Sequence, residues 1–242
     1  MVPLLLASPQ GGVSVMQFQR PTSPGMRKIA GEVGIIVIGV LIALGAQEVV
    51  DNARWEREVT DFRKSVNAEV ANNLATYEIR IKQNGCVKAR LDQLEAWLQS
   101  GREGRPRALS APIGHPVSLS LNTSVWGSRD SSLMSHMPME SRLAYGDVYD
   151  SFTNNEAHRL DERAAWLALS EFDGATELRH EDLMRLRGLI TRARFRDLRM
   201  GANVDVLLKK ARIMGISPKW DPTWPSIDPS LCDPILGPES KT

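Results

Sequence analysis

From Arg27 to Asp51 the chain reads RKIAGEVGIIVIGVLIALGAQEVVD, and this apolar run constrains everything that follows it. Val33 to Ala46 contains no polar side chain. Taken alone, such a length fits a signal-peptide core or a buried helix as well as a membrane span. Adding Ile29 to Glu32 gives about eighteen residues, or ~27 Å at ~1.5 Å per residue, close to the ~30 Å hydrocarbon core of a bilayer. Glu32 then sits within a turn of the boundary, where its carboxylate reaches headgroups or pairs with Arg27 or Lys28. Glu32, Ile35, Gly39, Ala43 and Ala46 share one helical stripe, and small residues four apart let helices approach closely in lipid.

The flanks set the orientation. Arg20, Arg27 and Lys28 precede the run and no acid occurs in residues 1–31, whereas Glu48, Asp51, Arg54, Glu56, Arg57 and Glu58 follow it. The positive-inside bias therefore places the N-terminus in the cytoplasm and exports the remainder: a single-pass protein of a bacterial inner membrane with a periplasmic domain. Ala43-Leu44-Gly45 has the small-residue spacing of a peptidase site, but helical patterning continues past it without proline or turn residues. We expect a short cytoplasmic tail over 1–28, an uncleaved signal anchor over 29–50, a helical bundle over 51–215 and an extended tail over 216–242. Residues 1–15 read as a loose leader, with Met16 and Met26 as alternative starts.

Beyond the span, no segment alternates at period two, so the expected fold class is all-α. Trp55, Val59, Phe62, Val66, Val70, Leu74, Tyr77 and Ile81 recur every three or four residues, which is one face of a helix. Asn84-Gly85 reads as a left-handed C-cap, after which Val87, Leu91, Leu94 and Leu98 predict a second helix turning back as a hairpin and stopping at Gly101. Residues 101–122 are rich in Gly, Pro and Ser and predict a loop. A short helix through Ser135 and a long one from Pro138 to about Phe172 follow, broken at Asp173-Gly174. The last helix carries Leu183, Leu186, Ile190, Ala193, Asp197, Met200, Val204, Leu207, Ala211 and Met214 in an unbroken seam, with Asp197 its only polar member. Such a seam packs as in a coiled coil, here within one bundle.

Two cysteines, Cys86 and Cys232, lack the spacing of zinc or thioredoxin chemistry. In an oxidising compartment they are expected to pair with each other, the tail between Ile216 and Cys232 being long enough to reach either end of the bundle. In a cytosolic protein they would stay free.

At GEVGIIVIGVLIALGAQ the sequence resembles an uncharacterised family of bacterial single-span membrane proteins, with a short cytoplasmic tail, a Gly-Glu at the start of the span and an IGVLIAL-like core. CVKARLDQLEAWL and MESRLAYGDVYD look like the exported helical part of such proteins. The resemblance implies fold and address but no activity, because the family is a domain of unknown function.

No local motif carries catalysis. His115, His136, His158 and His180 are scattered; Glu177-Leu-Arg-His180 matches the Glu-x-x-His step of di-iron bundles but lacks a second copy. Ser131 to His136 places serines near a histidine without an oxyanion donor or identifiable acid, and helix capping explains it more simply. No cofactor and no metal are expected. Thirty basic against 29 acidic residues leave no global field for nucleic acid. Arg179, Arg185, Arg187, Arg192, Arg194, Arg196 and Arg199 form the densest charge cluster, and Arg185, Arg192, Arg196 and Arg199 make a candidate patch for an anionic partner. The same arginines have Asp161, Glu162 and Glu171 on the neighbouring helix to pair with. The expected partners are the lipid bilayer and an envelope protein or a second copy of the chain. The expected function is that of a non-enzymatic, membrane-anchored interaction module, with a small-molecule sensor subunit or a pilin-like subunit as alternatives.

Overall fold

The computed structural model describes residues 24–102, 106–222, 224 and 229–237; the leader expected over residues 1–15 lies outside them. The chain is all-α. The elements are α1 (Pro24–Lys82), α2 (Asn84–Arg102), α3 (Ser124–Gly127), α4 (Ser131–His136), α5 (Met139–Ser170), α6 (His180–Ile213) and a 3-10 turn (Pro229–Cys232). Among the described residues no strand forms, and Leu109 meets Leu236 in an isolated antiparallel bridge. The chain divides into two compact units, the first ending at Arg54 and the second beginning at Trp55.

In the first unit almost every side chain from Ile29 onward is exposed, with Ile35 at 73%. An 18-residue window of this helix has a mean hydropathy of 2.4 and none of it is buried. A helix that is apolar all round and has no protein partner is suited to a bilayer, where its own ladder satisfies the backbone. It is the one helix among the described residues long and apolar enough to cross a membrane.

The second unit holds two apolar clusters. Val66, Val70, Leu74 and Tyr77 of α1 pack with Val148 and Phe152 of α5 and with Met200, Val204 and Leu207 of α6. Val87, Leu91 and Leu94 of α2 pack with Trp166 and Leu169 of α5 and with Leu186 and Ile190 of α6. Helices α5 and α6 thus run antiparallel along both clusters, as the unbroken α6 seam requires.

The expected hairpin of the first two helices is not formed. Only Gln83 separates α1 from α2, Val87 N–H donates to Gln83 O at 2.9 Å, and α2 packs on α6. Asn84 and Gly85 open α2, and Gly85 has no positive φ. The physical reason is phase: stepping from Tyr77 through Arg80 and Asn84 to Val87 keeps the three-four rhythm, so the interruption shifts the burying face very little. The true helix breaks lie elsewhere. Gly174 (φ 74°) ends α5 as expected, and Gly215 (φ 74°) closes α6 in a Schellman motif, with Gly215 N–H on Arg212 O and Ile216 N–H on Ala211 O at 3.0 and 2.9 Å.

The non-helical chain is held by a row of buried polar side chains along α1 and α2. Glu69 caps α3 by accepting from Val125 N (2.8 Å) and Trp126 N (3.3 Å). Asn73 grips Asn122 through both amide atoms, at 2.6 and 2.9 Å. Gln83 takes Val117 in the same way, at 2.8 and 3.4 Å. Arg90 donates to the carbonyls of Ser230 (2.8 Å), Leu231 (3.1 Å) and Asp233 (2.8 Å), and to Ile113 O.

Within the expected tail, residues 229–236 are therefore folded onto α2, burying Leu231 and Ile235. Replacing Arg90 by Met should leave these carbonyls without their donor at a cost of about 2–3 kcal/mol. Urea unfolding measures that loss, and the amides of residues 230–236 should then exchange with deuterium ahead of the helices. Unchanged exchange there would show that the tail needs no such anchor.

Candidate functional site

Where α1, α5 and α6 pass from one apolar cluster to the other, each contributes a charged residue. Arg80 Nε donates to Glu162 Oε2 at 3.1 Å, Arg80 Nη2 donates to Glu162 Oε1 and to Asp197 Oδ1 (2.9 Å), and Nη1 donates to Asn84 Oδ1 at 2.6 Å. All three ionic residues are buried. Burial pulls the guanidinium pKa down, but the two carboxylates outweigh it and hold Arg80 above its ordinary value. Asp197, the polar break in the α6 seam, is thus a partner for Arg80. Glu162, expected opposite the α6 arginines, faces Arg80 instead.

Three of the seven clustered arginines meet the expected acids. Arg185 pairs with Glu171, while Arg192 and Arg196 both pair with Asp161. Arg194 reaches α2, contacting Asp92 (2.7 Å) and Glu95 (2.8 Å); donation from Lys88 and from Arg194 holds the Asp92 carboxyl below its usual range. Three of the four residues of the anticipated anionic patch, Arg185, Arg192 and Arg196, are therefore engaged within the unit. Arg199 makes no ion pair among the described residues.

The histidines do not converge. Glu177 lies in the connection before α6 while His180 opens the helix, so the Glu-x-x-His pair does not share a helical face. His136 stacks on Trp55 at 4.1 Å, with its Nδ1 2.8 Å from Ser132 O. Asp130 caps α4 by accepting from Leu133 N (2.6 Å) and from Ser132 Oγ (2.7 Å), and these bonds depress its pKa. No group of three metal-ligating side chains forms among the described residues. Cys86 and Cys232 are joined in a disulfide, with Cα atoms 4.6 Å apart. Glu32, Gly39, Ala43 and Ala46 are all exposed along α1, and a Cβ added at Gly39 would meet nothing within 4 Å.

A surface absent from the sequence reading lies between α2 and α6. An open groove of about 690 Å³ is lined by Leu98, Ile190, Phe195 and Leu198 and by Arg102 and Arg187. Neither of these two arginines has an ion-pair partner among the described residues. Phe195 is two residues from the buried Ala193, which at ~100° per residue turns it to the opposite face. From Phe195 an exposed apolar stripe continues through Leu198 (68% exposed), Ala202 and Val206 to Ile213 (87% exposed). Helix α6 therefore has two apolar faces, one packed inside the unit and one open. The signal was present in the sequence as a second three-four series offset from the first, which the stronger inner seam obscured. No protein-family model, curated protein or solved structure matches the chain.

Proposed function

We propose that the protein is a membrane-anchored, non-enzymatic helical module of the bacterial cell envelope, single-pass with its N-terminus in the cytoplasm, and that its Trp55–Thr242 unit binds a protein partner in the periplasm. The observation that carries this reading is the open second face of α6, with the groove against α2 beside it. An exposed row of large apolar side chains costs solubility unless another surface covers it. The disulfide supports the address, since such bonds persist in oxidising compartments. The arginine and lysine bias before the apolar run supports the orientation.

The surface favours one kind of occupant. On α6, Arg187, Arg199, Lys209 and Arg212 have no ion-pair partner among the described residues, so packing α6 of one copy on α6 of another sets these like charges together. Arg102 and Arg187, which line the groove without an ion-pair partner among the described residues, suit an amphipathic helix with acidic residues flanking its apolar face. A photo-crosslinking side chain at Leu198 in the full chain, in native membranes, should yield a discrete adduct with a second protein, while the same probe at Asn154 on α5 should not. Leu198→Asp should abolish partner capture and leave the unfolding free energy within about 0.5 kcal/mol of wild type, as expected for an exposed site. Equal adducts from Leu198 and Asn154 would remove the basis for the assignment.

A further inference from the structure

We propose that His158 is a pH-sensitive latch on the α2/α6 groove, holding Arg196 against α5 while neutral and releasing it beside Phe195 when protonated; this rests on the partner-binding reading of that groove. His158 Nδ1 lies 2.9 Å from Arg196 Nη1. A guanidinium only donates, so Nδ1 is the acceptor and the imidazole is neutral, with its proton on Nε2. Arg196 Nε donates to Asp161 Oδ2, and Arg192 pairs with the other oxygen of the same carboxylate. Two guanidiniums therefore share one negative charge. The neutral imidazole supplies the further acceptor that Arg196 needs.

The charged groups acting on His158 from α6, Arg196 and Arg199, are both cations. On α5 itself, Asp161 and Glu162 lie about one turn along and are already paired with arginines. Burial, and then Arg196 and Arg199, hold the imidazole below its ordinary value, so it takes up a proton only below about pH 6.5. The folded unit thus prefers the neutral ring, and the stability this contributes is present above that ordinary value and lost as pH falls through the depressed one. Protonation removes the acceptor nitrogen and sets a like charge against Arg196, so Nη1 loses its partner and is repelled from α5. Arg196 is the route from His158 to the groove. Its guanidinium carbon lies 5.6 Å from the centre of the Phe195 ring, and Phe195 is a half-exposed part of the groove lining. A guanidinium released there adds positive charge beside the apolar surface, which favours a partner helix flanked by acidic residues.

The test is fluorine NMR of the detergent-solubilised full chain carrying a fluorophenylalanine at position 195, titrated from about pH 8 to about pH 5, where histidine is the side chain that ordinarily changes charge. The resonance should shift with a single midpoint below about pH 6.5, coincident with the signal of the His158 imidazole. His158→Gln keeps a neutral acceptor for Arg196 and should leave the resonance flat. Arg196→Met should uncouple Phe195 and raise the midpoint of His158, because a like charge is removed. The adduct formed from Leu198 should increase severalfold between about pH 7.5 and about pH 5.5 in the wild-type chain and stay constant in His158→Gln. A flat Phe195 resonance in the wild type, a shift retained in His158→Gln, or equal adduct yields at the two pH values would each overturn the latch. Absence of any Leu198 adduct alongside a titrating Phe195 would count against the partner and support the latch, since the fluorine signal needs no partner.

Discussion

Replacing Arg80 by Met should destabilise the Trp55–Thr242 unit by about 3–5 kcal/mol, the range for removing one partner from a buried ion pair. The methionine fits the space left by the guanidinium stem, so the loss comes from electrostatics. Glu162 and Asp197 would remain buried, facing each other's charge, with no cation to offset the removal from water. A triple variant, Arg80→Met with Glu162→Leu and Asp197→Leu, should recover most of the loss, because no charge is then left inside. Chemical unfolding in urea reports both, with a fall in midpoint at constant slope for the single variant. A single variant within about 1 kcal/mol of wild type would mean that the triad is solvated enough to be dispensable. We expect the triad to fix the relative register of α1, α5 and α6, since sliding any one of them by a turn separates the charges.

Reducing the Cys86–Cys232 bond, or replacing Cys232 by Ser, should produce a loss of comparable size. The bond spans 146 residues, and in the chain-entropy account closing so long a loop in the unfolded state contributes up to about 5 kcal/mol. For a unit of this size that corresponds to roughly 10–20 °C in thermal midpoint. Arg90, Leu231 and Ile235 hold the same segment without covalent help, so the reduced protein should still fold with the tail in place at low temperature. Scanning calorimetry with and without reductant measures the shift, and non-reducing mass spectrometry should show the two cysteine peptides linked. Free alkylation of both thiols in native, unreduced protein would exclude the bond, and with it one support for a periplasmic address.

What the sequence determined by itself is the set of buried faces. The α6 seam from Leu186 to Ala211 is buried residue for residue, and Val59, Val66, Val70, Leu74 and Tyr77 line α1 as their spacing requires. Apolar periodicity encodes burial because every such side chain gains by leaving water, whatever it meets. The apolar run of α1 and the break at Gly174 were legible for equally local reasons: one is a matter of length, the other of a φ that glycine adopts freely. Asp197 was visible as an exception without a partner.

Only the tertiary structure decided what those faces touch. Glu69, Asn73, Arg80, Gln83 and Arg90 look like the solvated side of a helix, yet each is buried and holds backbone or a countercharge from distant chain. Asn84-Gly85 looks like a stop, yet α2 carries on from it with almost no change of phase. A polar side chain is stable either in water or against a buried partner that completes its hydrogen bonds. The sequence around it has the same form in both cases, so the choice rests on residues tens of positions away that only folding brings within about 3 Å.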